Sequence, residues 1–294
     1  MSPAAPLELT PEWRDAIARA AAADRVAVLG PTDAGKSTFI HALATARAEV
    51  GQGTRVVDLD PGQKMTGPPG TASLGRFEGD AVILERFIFL GSTAVGSFRA
   101  LAAAASSLAQ TARGRFVANT SGYVAGPGAA MQGMTLAALA PDLIVAIGEA
   151  PALEPVLARW PGALRLPRSP HAHRKTEGFR RSVRQQAFAA AFEGASLQHL
   201  AAFAFEPNPP APFATDARPV CALADDAGED MKIAILLACG AAGATFLART
   251  PARPAHRARL GKMWAQPHGA GWKLLDRLSP AWEAPQALSP TSSP

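Results

Sequence analysis

Apolar positions in this chain fall into short runs separated by polar and glycine-rich breaks, and their spacing predicts the elements. From Leu9 to Ala23, Trp13, Ile17 and Ala21 recur along one helical face, with Thr10 as N-cap and Pro11 in the first turn. Arg25 to Leu29 is a short strand-like run, and a helix follows to about Ala48. Residues 55–60 read as a second strand, and the Pro/Gly-rich stretch Thr66 to Gly75 as a loop. Ala81–Leu84 and Arg86–Leu90 read as strands, Val95–Ala112 as an alanine-rich helix, and Arg115–Ala118 as a strand. A helix within Gly126–Ala140, a strand at Asp142–Ile147, a short helix at Pro151–Arg159 and a strand at Ala163–Leu166 complete this half. Strands alternating with helices predict an α/β fold, a parallel sheet with helices on both faces.

The pattern changes after Ser169. A polar loop passes at Thr176, an N-cap candidate, into a helix running to about Phe192. Phe179, Val183 and Ala187 line one face of that helix, and Arg180 and Arg184 another. Leu200 to Pro212 reads as a Pro-containing connection. Arg218–Leu223, Met231–Ala238 and Thr245–Arg249 read as short antiparallel strands. The apolar run from Ile233 to Ala248 is broken by Gly240 and Gly243 and falls short of the roughly 20 residues that span a bilayer, so it reads as two strands and a tight turn. Beyond Pro251 the chain is basic, then Pro- and Ser-rich, which predicts a disordered end.

Composition narrows the class. The 294 residues are 48% hydrophobic, enough for a substantial core, with 26 glycines and 26 prolines. A net charge of +5 suits an anionic partner such as a nucleotide or nucleic acid. Cys221 and Cys239 make neither a metal spacing nor a disulfide framework, and the first ten residues do not resemble a signal peptide. The expected setting is the cytoplasm, with no membrane association.

The chemistry starts at Gly30-Pro31-Thr32-Asp33-Ala34-Gly35-Lys36-Ser37-Thr38, which fits G-x-x-x-x-G-K-[ST] between an apolar strand and a helix. Such a loop cradles phosphates with backbone N–H groups at a helix start. Lys36 would reach the β- and γ-phosphates and the Ser37 hydroxyl would hold Mg²⁺. Asp58 and Asp60 end the next strand, before Pro61-Gly62-Gln63. An acidic strand end beside a phosphate loop can hold Mg²⁺ through water or take a proton from a nucleophile, whereas a surface Asp-Pro-Gly turn is the plainer alternative. Arg180, Arg181 and Arg184 would, on pattern alone, make a solvated basic face, and His171 and His173 lack a third metal ligand nearby.

These motifs, in this order, resemble the polynucleotide 5′-hydroxyl kinase family, which includes the mRNA cleavage-factor kinase and the ribosomal-RNA-processing kinases. The resemblance rests on the phosphate loop Gly30–Thr38 and the strand end Asp58-Leu59-Asp60-Pro61-Gly62-Gln63. It extends through Pro69-Gly70-Thr71, Gly91-Ser92-Thr93, the clasp Thr120-Ser121-Gly122-Tyr123, and an arginine-bearing lid with Arg174 and Arg180 or Arg181, spanning about Val26 to Phe192. It implies a P-loop NTPase-type fold, with ATP (or GTP) and Mg²⁺ bound, and transfer of the γ-phosphoryl to the 5′-hydroxyl of RNA or DNA. In that reaction Lys36 and the loop neutralise phosphate charge, Ser37 binds the metal with Asp58 supporting its shell, and Thr38 lies toward the α-phosphate. Asp60 would orient and deprotonate the hydroxyl, and Gln63 would touch substrate or a metal water. Thr120, Gly122 and Tyr123 form the clasp, where an aromatic ring stacks on the terminal base; Tyr stands here in place of the commoner Trp. The lid arginines stabilise the charge of the transition state.

The resulting organisation is an N-terminal helix over 1–24, a kinase domain over 25–200 with its lid near 169–192, a small β-rich segment over 201–275, and a disordered tail over 276–294. Two further readings compete: a P-loop enzyme acting on a small molecule or protein, and an inactive nucleotide-binding scaffold for RNA processing. A guanine-specific switch is disfavoured, because Asn119-Thr120-Ser121-Gly122 supplies no Asn-Lys-x-Asp motif.

Overall fold

A computed structural model describes residues 9–149, 151–169, 172–201, 203–206, 216–240 and 242–275. The expected tail over 276–294, His171 and most of the Pro-containing connection before Pro212 lie outside the described residues. Contacts divide the chain into two units, 1–187 and 188–294.

The first unit opens with α1 (Pro11–Ala22), β1 (Arg25–Leu29), α2 (Lys36–Glu49) and β2 (Arg55–Asp58). It continues with β3 (Thr71–Glu78), β4 (Ala81–Phe89), α3 (Phe98–Ala112), β5 (Phe116–Asn119), α4 (Pro127–Leu139) and β6 (Leu143–Ile147). A 3₁₀ turn (Pro151–Leu153), α5 (Glu154–Leu157), β7 (Leu164–Leu166) and α6 (Glu177–Ala191) follow, with the unit boundary inside α6. The strands form one sheet in the order β4-β3-β2-β5-β1-β6-β7. From β2 to β7 all pairings are parallel.

Alternation along β1 shows why helices cover both faces. Ala27 and Leu29 face a core shared with Leu101 and Leu108 of α3 and Leu136 of α4. Val26 and Val28 face the opposite core, with Trp13 and Ile17 of α1 and Phe39 and Leu43 of α2. A strand buried on both sides reads as a continuous apolar run, as this one does.

The sheet is not wholly parallel. The expected loop over Thr66–Gly75 becomes strand at Thr71, and β3 pairs antiparallel with β2 and β4. Small polar residues mask this strand: Thr71 and Ser73 are buried, their hydroxyls donating to the Pro68 and Thr66 carbonyls. The two strands expected over 81–90 are one, β4, with a bulge at Glu85 opposite Leu74 and Gly75. Gly75 is required there, since a Cβ would lie 2.8 Å from a Val82 methyl and 2.9 Å from the Ile83 carbonyl oxygen.

The second unit contains β8 (Ser196–Leu200), β9 (Ala204–Glu206), β10 (Arg218–Ala224), β11 (Asp230–Gly240), β12 (Gly243–Ala248), β13 (Arg257–His268) and β14 (Gly271–Leu275). They form a sheet in the order β14-β13-β10-β11-β12-β8, with β9 alongside β13. Gly240 and Gly243, between which a tight turn is expected, face each other as the paired ends of β11 and β12. The expectation of short strands and a basic end underestimates this unit, for β13 and β14 form a hairpin over 257–275. Arginine at alternate positions hid the strand, and the charges are paired: Arg257 with Glu206 at 2.8 Å, Arg259 with Asp230 at 2.7 Å. Phe203, Phe205 and Phe246 stack edge-on in the core of this unit.

Candidate active site

Backbone geometry that only glycine tolerates shapes the loop between β1 and α2. Gly30 has φ near +148°, and a Cβ there would lie 2.3 Å from the Ile147 carbonyl oxygen. Gly35, the N-cap of α2, has φ near +108° and sits 3.0–3.1 Å (Cβ position) from Ser169 and the Trp13 ring. Trp13 is fixed in turn by an edge-on contact with Phe39 and by donation of its indole N–H to the Pro167 carbonyl. The N-terminal helix therefore supports the loop from beneath.

Lys36 is buried, and its ammonium donates to the Gly30 and Pro31 carbonyls at 2.9 and 3.0 Å. Burial lowers its pKa to about 8, against the opposing pull of Asp60 and then Asp33. Asp60 is held by its own turn, its Oδ1 accepting from the Gly62 and Gln63 amides at 3.0 and 2.9 Å. Burial first, and the neighbouring Asp58 second, raise its pKa above the ordinary carboxylate value. Gln63 donates to the Gly62 carbonyl and borders the same cleft. Gly62 lies so close to the segment 91–93 that a Cβ would meet the Thr93 carbonyl oxygen at 2.7 Å. The Pro69-Gly70-Thr71 loop closes this corner, with the Gly70 amide donating to the Pro61 carbonyl and the Gly70 carbonyl accepting from Leu90.

Asp58, expected to support the metal, is fully buried and both its oxygens are in use. Oδ1 accepts from Asn119 Nδ2 at 2.9 Å and Oδ2 from the Met65 amide at 2.7 Å. Lys64, 3% exposed at its side chain, pairs with Oδ2 at 3.0 Å. Sequence reasoning passed over Lys64 and Asn119. Asn119 ends β5, where it is the register partner of both Val28 and Asp58. A polar residue ending a buried strand between two site-bearing strands was the available signal.

Of the residues expected to form the clasp, Thr120 and Gly122 pack against β1 and the phosphate loop. Thr120 is buried and ties β5 to β1 by donating to the Val28 carbonyl at 3.0 Å. Gly122 passes against the phosphate loop, where a Cβ would lie 2.4 Å from Thr32 Oγ1 and 2.7 Å from its amide nitrogen. Tyr123 is 41% exposed, and Gln132 on α4 donates to its backbone carbonyl and to that of Ser121.

The lid separates its arginines. Arg180 reaches the loop and pairs with Asp33 Oδ2 at 2.5 Å, while Arg181 faces Glu177 one turn back on α6 at 3.6 Å. The Lys175 amide also donates to Asp33 Oδ2, and Arg168 Nε to the Asp33 carbonyl. Arg174 is exposed and lines the cleft.

Of the expected residues, Thr32 to Thr38, Asp60, Gln63 and Arg174 line one cleft in the first unit. Gly30, Pro31, Asp58, Thr120, Gly122 and Arg180 shape it from behind or from the side, and Tyr123 stands outside its lining. The cleft lies at the carboxyl ends of β1, β2 and β5, where open α/β sheets bind ligands.

Comparison with known proteins agrees with this geometry. Residues 30–194 match the family model described as the mRNA cleavage and polyadenylation factor CLP1 P-loop. A protein named polyribonucleotide 5′-hydroxyl-kinase in Thermococcus kodakarensis is 31% identical over 186 residues, covering 60% of this chain and 53% of its own length. One of the same name in Pyrococcus furiosus is 27% identical over 188 residues, covering 59% and 52%. The chain spans about half the length of the curated relatives it matches. The structure of Clp1p in complex with Pcf11p superposes with a TM-score of 0.64 over 81% of this chain and 73% of that chain, at 11% identity, a likeness of fold alone. With the family model matched over more than half of its residues, the chain belongs to the CLP1 P-loop family.

Proposed function

We propose that the chain is a polynucleotide 5′-hydroxyl kinase, transferring the γ-phosphoryl of ATP or GTP to the 5′-hydroxyl end of RNA or DNA. The observation that carries this reading is the placement of Asp60, a half-buried carboxylate of raised pKa, in one cleft with Lys36 and Ser37. A hydrolase or switch needs only to hold water near the γ-phosphate, whereas a kinase needs a base for an incoming alcohol. The names of the relatives support the same reaction.

Asp60 accepts the proton of the 5′-hydroxyl as its oxygen bonds to the γ-phosphorus. The bond from that phosphorus to the β–γ bridging oxygen breaks, and the nucleoside diphosphate leaves. A raised pKa makes the Asp60 carboxylate a stronger base than an exposed one. Lys36 exchanges its loop carbonyls for the β- and γ-phosphate oxygens, and Thr38 faces the α-phosphate. Gln63 orients the acceptor end. Arg174 and Arg180 close over the phosphates and offset developing charge, while Arg181 steadies the lid helix through Glu177. Tyr123, set by Thr120 and Gly122, offers a ring on which the terminal base stacks, a contact indifferent to sequence.

The donor set suits Mg²⁺. Ser37 and Asp60 present only oxygen to the cleft, as a hard divalent cation requires, with Asp58 behind them. Bound there with the nucleotide, the ion neutralises phosphate charge. The free thiols Cys221 and Cys239 suit a reducing compartment such as the cytoplasm, and among the described residues no helix is long and apolar enough to cross a membrane.

Nucleotide turnover with and without an acceptor tests the proposal. Consumption of ATP should rise at least tenfold with a 5′-hydroxyl oligonucleotide and not with a 5′-phosphorylated one. Turnover indifferent to oligonucleotide would favour a small-molecule or protein kinase, and nucleotide binding without turnover an inactive scaffold.

A further inference from the structure

Asn119 has one buried atom without a partner among the described residues, and Asn119 lines the cleft. The side chain is 3% exposed, and Nδ2 donates to Asp58 Oδ1 at 2.9 Å. A carboxylate oxygen only accepts, so this contact fixes the amide: the reversed orientation would set two acceptors against each other. Oδ1 therefore turns away from Asp58. It is buried and accepts no hydrogen bond among the described residues. Asn119 lines the cleft together with Ser37, Asp60 and Gln63.

An orphaned buried carbonyl costs about 1–3 kcal/mol unless something fills its need. The phosphates of the nucleotide cannot, because their oxygens are acceptors too. Lys36 is engaged by Gly30 and Pro31. What suits an acceptor-only atom beside phosphates is the hydrogen of a water bound to a divalent cation. Mg²⁺ keeps several waters, and acceptors around them orient the ion.

We propose that Asn119 Oδ1 accepts from a water on the Mg²⁺ that accompanies the nucleotide, and that Asp58 serves the metal by holding this amide in place. The inference rests on the nucleotide-binding part of the function proposed above, and not on the identity of the phosphoryl acceptor. Asp58 then acts at one remove: Lys64 and Met65 fix the carboxylate, the carboxylate fixes the amide, and the amide presents its oxygen to the ion's hydration shell.

The test is the Mg²⁺ dependence of binding of a non-hydrolysable ATP analogue to the full chain, with no oligonucleotide present. Two variants separate the metal role from the structural one. In Asn119→Leu the acceptor is lost, and the half-saturating Mg²⁺ concentration should rise about tenfold while binding in EDTA stays the same. The exchanged pair Asp58→Asn with Asn119→Asp keeps the hydrogen bond and the net charge, leaves an amide oxygen for Lys64 and Met65, and turns a carboxylate oxygen toward the ion. It should lower the half-saturating Mg²⁺ by a similar factor. An unmoved Mg²⁺ requirement in the exchanged pair would overturn the proposal, as would an Asn119→Leu loss that is equal with Mg²⁺ and in EDTA. Should Asn119→Leu fail to fold, the exchanged pair decides alone. Failure of oligonucleotide phosphorylation would leave these readings unaffected, so the two proposals fall separately.

Discussion

Lys36 and Asp60 are both pushed toward their neutral forms by the same burial, and the consequences run in opposite directions with pH. The Lys36 pKa falls from 10.5 to about 8, so between these values the unfolded chain binds more protons than the folded one. Stability from this group therefore rises with pH across that window, and below about 8 the fold bears the whole cost of an enclosed ammonium. Lys36→Met should be more stable than the parent at pH 7, by on the order of 1–2 kcal/mol in chemical denaturation, and the gain should fade above pH 10.5. Asp60 is raised, so its folded form binds more protons than the unfolded form. Its contribution is present in acid and is lost as pH climbs through the raised value. For catalysis the same shift moves the acid limb of kcat/KM: activity should fall off at a higher pH than a free carboxylate would give. Asp60→Asn should lose about a hundredfold or more in kcat, within the range for removal of a positioned base. Both residues were legible in sequence because each sits at a fixed offset in a local motif. Asn119 and Lys64 were not, because their roles arise across strands: Asn119 meets Asp58 only through the β2–β5 pairing.

The lid helix and the clasp divide the work expected of them. On pattern, Arg180 and Arg181 were equivalent neighbours; on α6 they point to different partners, Asp33 for Arg180 and Glu177 for Arg181. Arg180→Ala should therefore lower kcat about a hundredfold, at the low end for cationic stabilisers of phosphoryl transfer, and Arg181→Ala by less than about threefold in the same steady-state assay. The Gly122 backbone rests on Thr32, so the phosphate loop and the segment 120–123 share one contact. Tyr123 is the exposed member. Tyr123→Ala should raise KM for the oligonucleotide by about tenfold, in line with the loss of one stacked base, and leave nucleotide affinity within about twofold. An equal loss of both would remove Tyr123 from the acceptor site. The elements that escaped sequence reading share a physical cause. β3 carries Thr71, Ser73 and Gly75 where a buried strand would ordinarily show branched apolar residues, and β13 opens with Arg257 and Arg259 on either side of Ala258. Hydrogen bonds and ion pairs stabilise these strands, and a hydrophobic pattern does not report them.

At the scale of the molecule, the first unit holds every cleft residue, and the second is a separate antiparallel sheet with its own aromatic core. The α/β order was legible because β1 and β6 carry near-continuous apolar runs and β2 and β5 buried apolar stretches ending in a polar residue. An excess of basic charge, +5 overall, suits a polyanionic acceptor and predicts binding that weakens with salt. The central claim is that the phosphate loop is the donor half, and Asp60 the acceptor half, of a phosphoryl-transfer site. Its most direct test follows the phosphoryl group itself. The protein is incubated with Mg²⁺, ATP labelled at the γ-phosphate, and an oligonucleotide ending in a 5′-hydroxyl, and the position of the label is read after nuclease digestion. The account predicts label on the 5′-terminal nucleotide, absent with Asp60→Asn although that variant still binds ATP. Label released only as inorganic phosphate, or transfer that survives in Asp60→Asn, would contradict it.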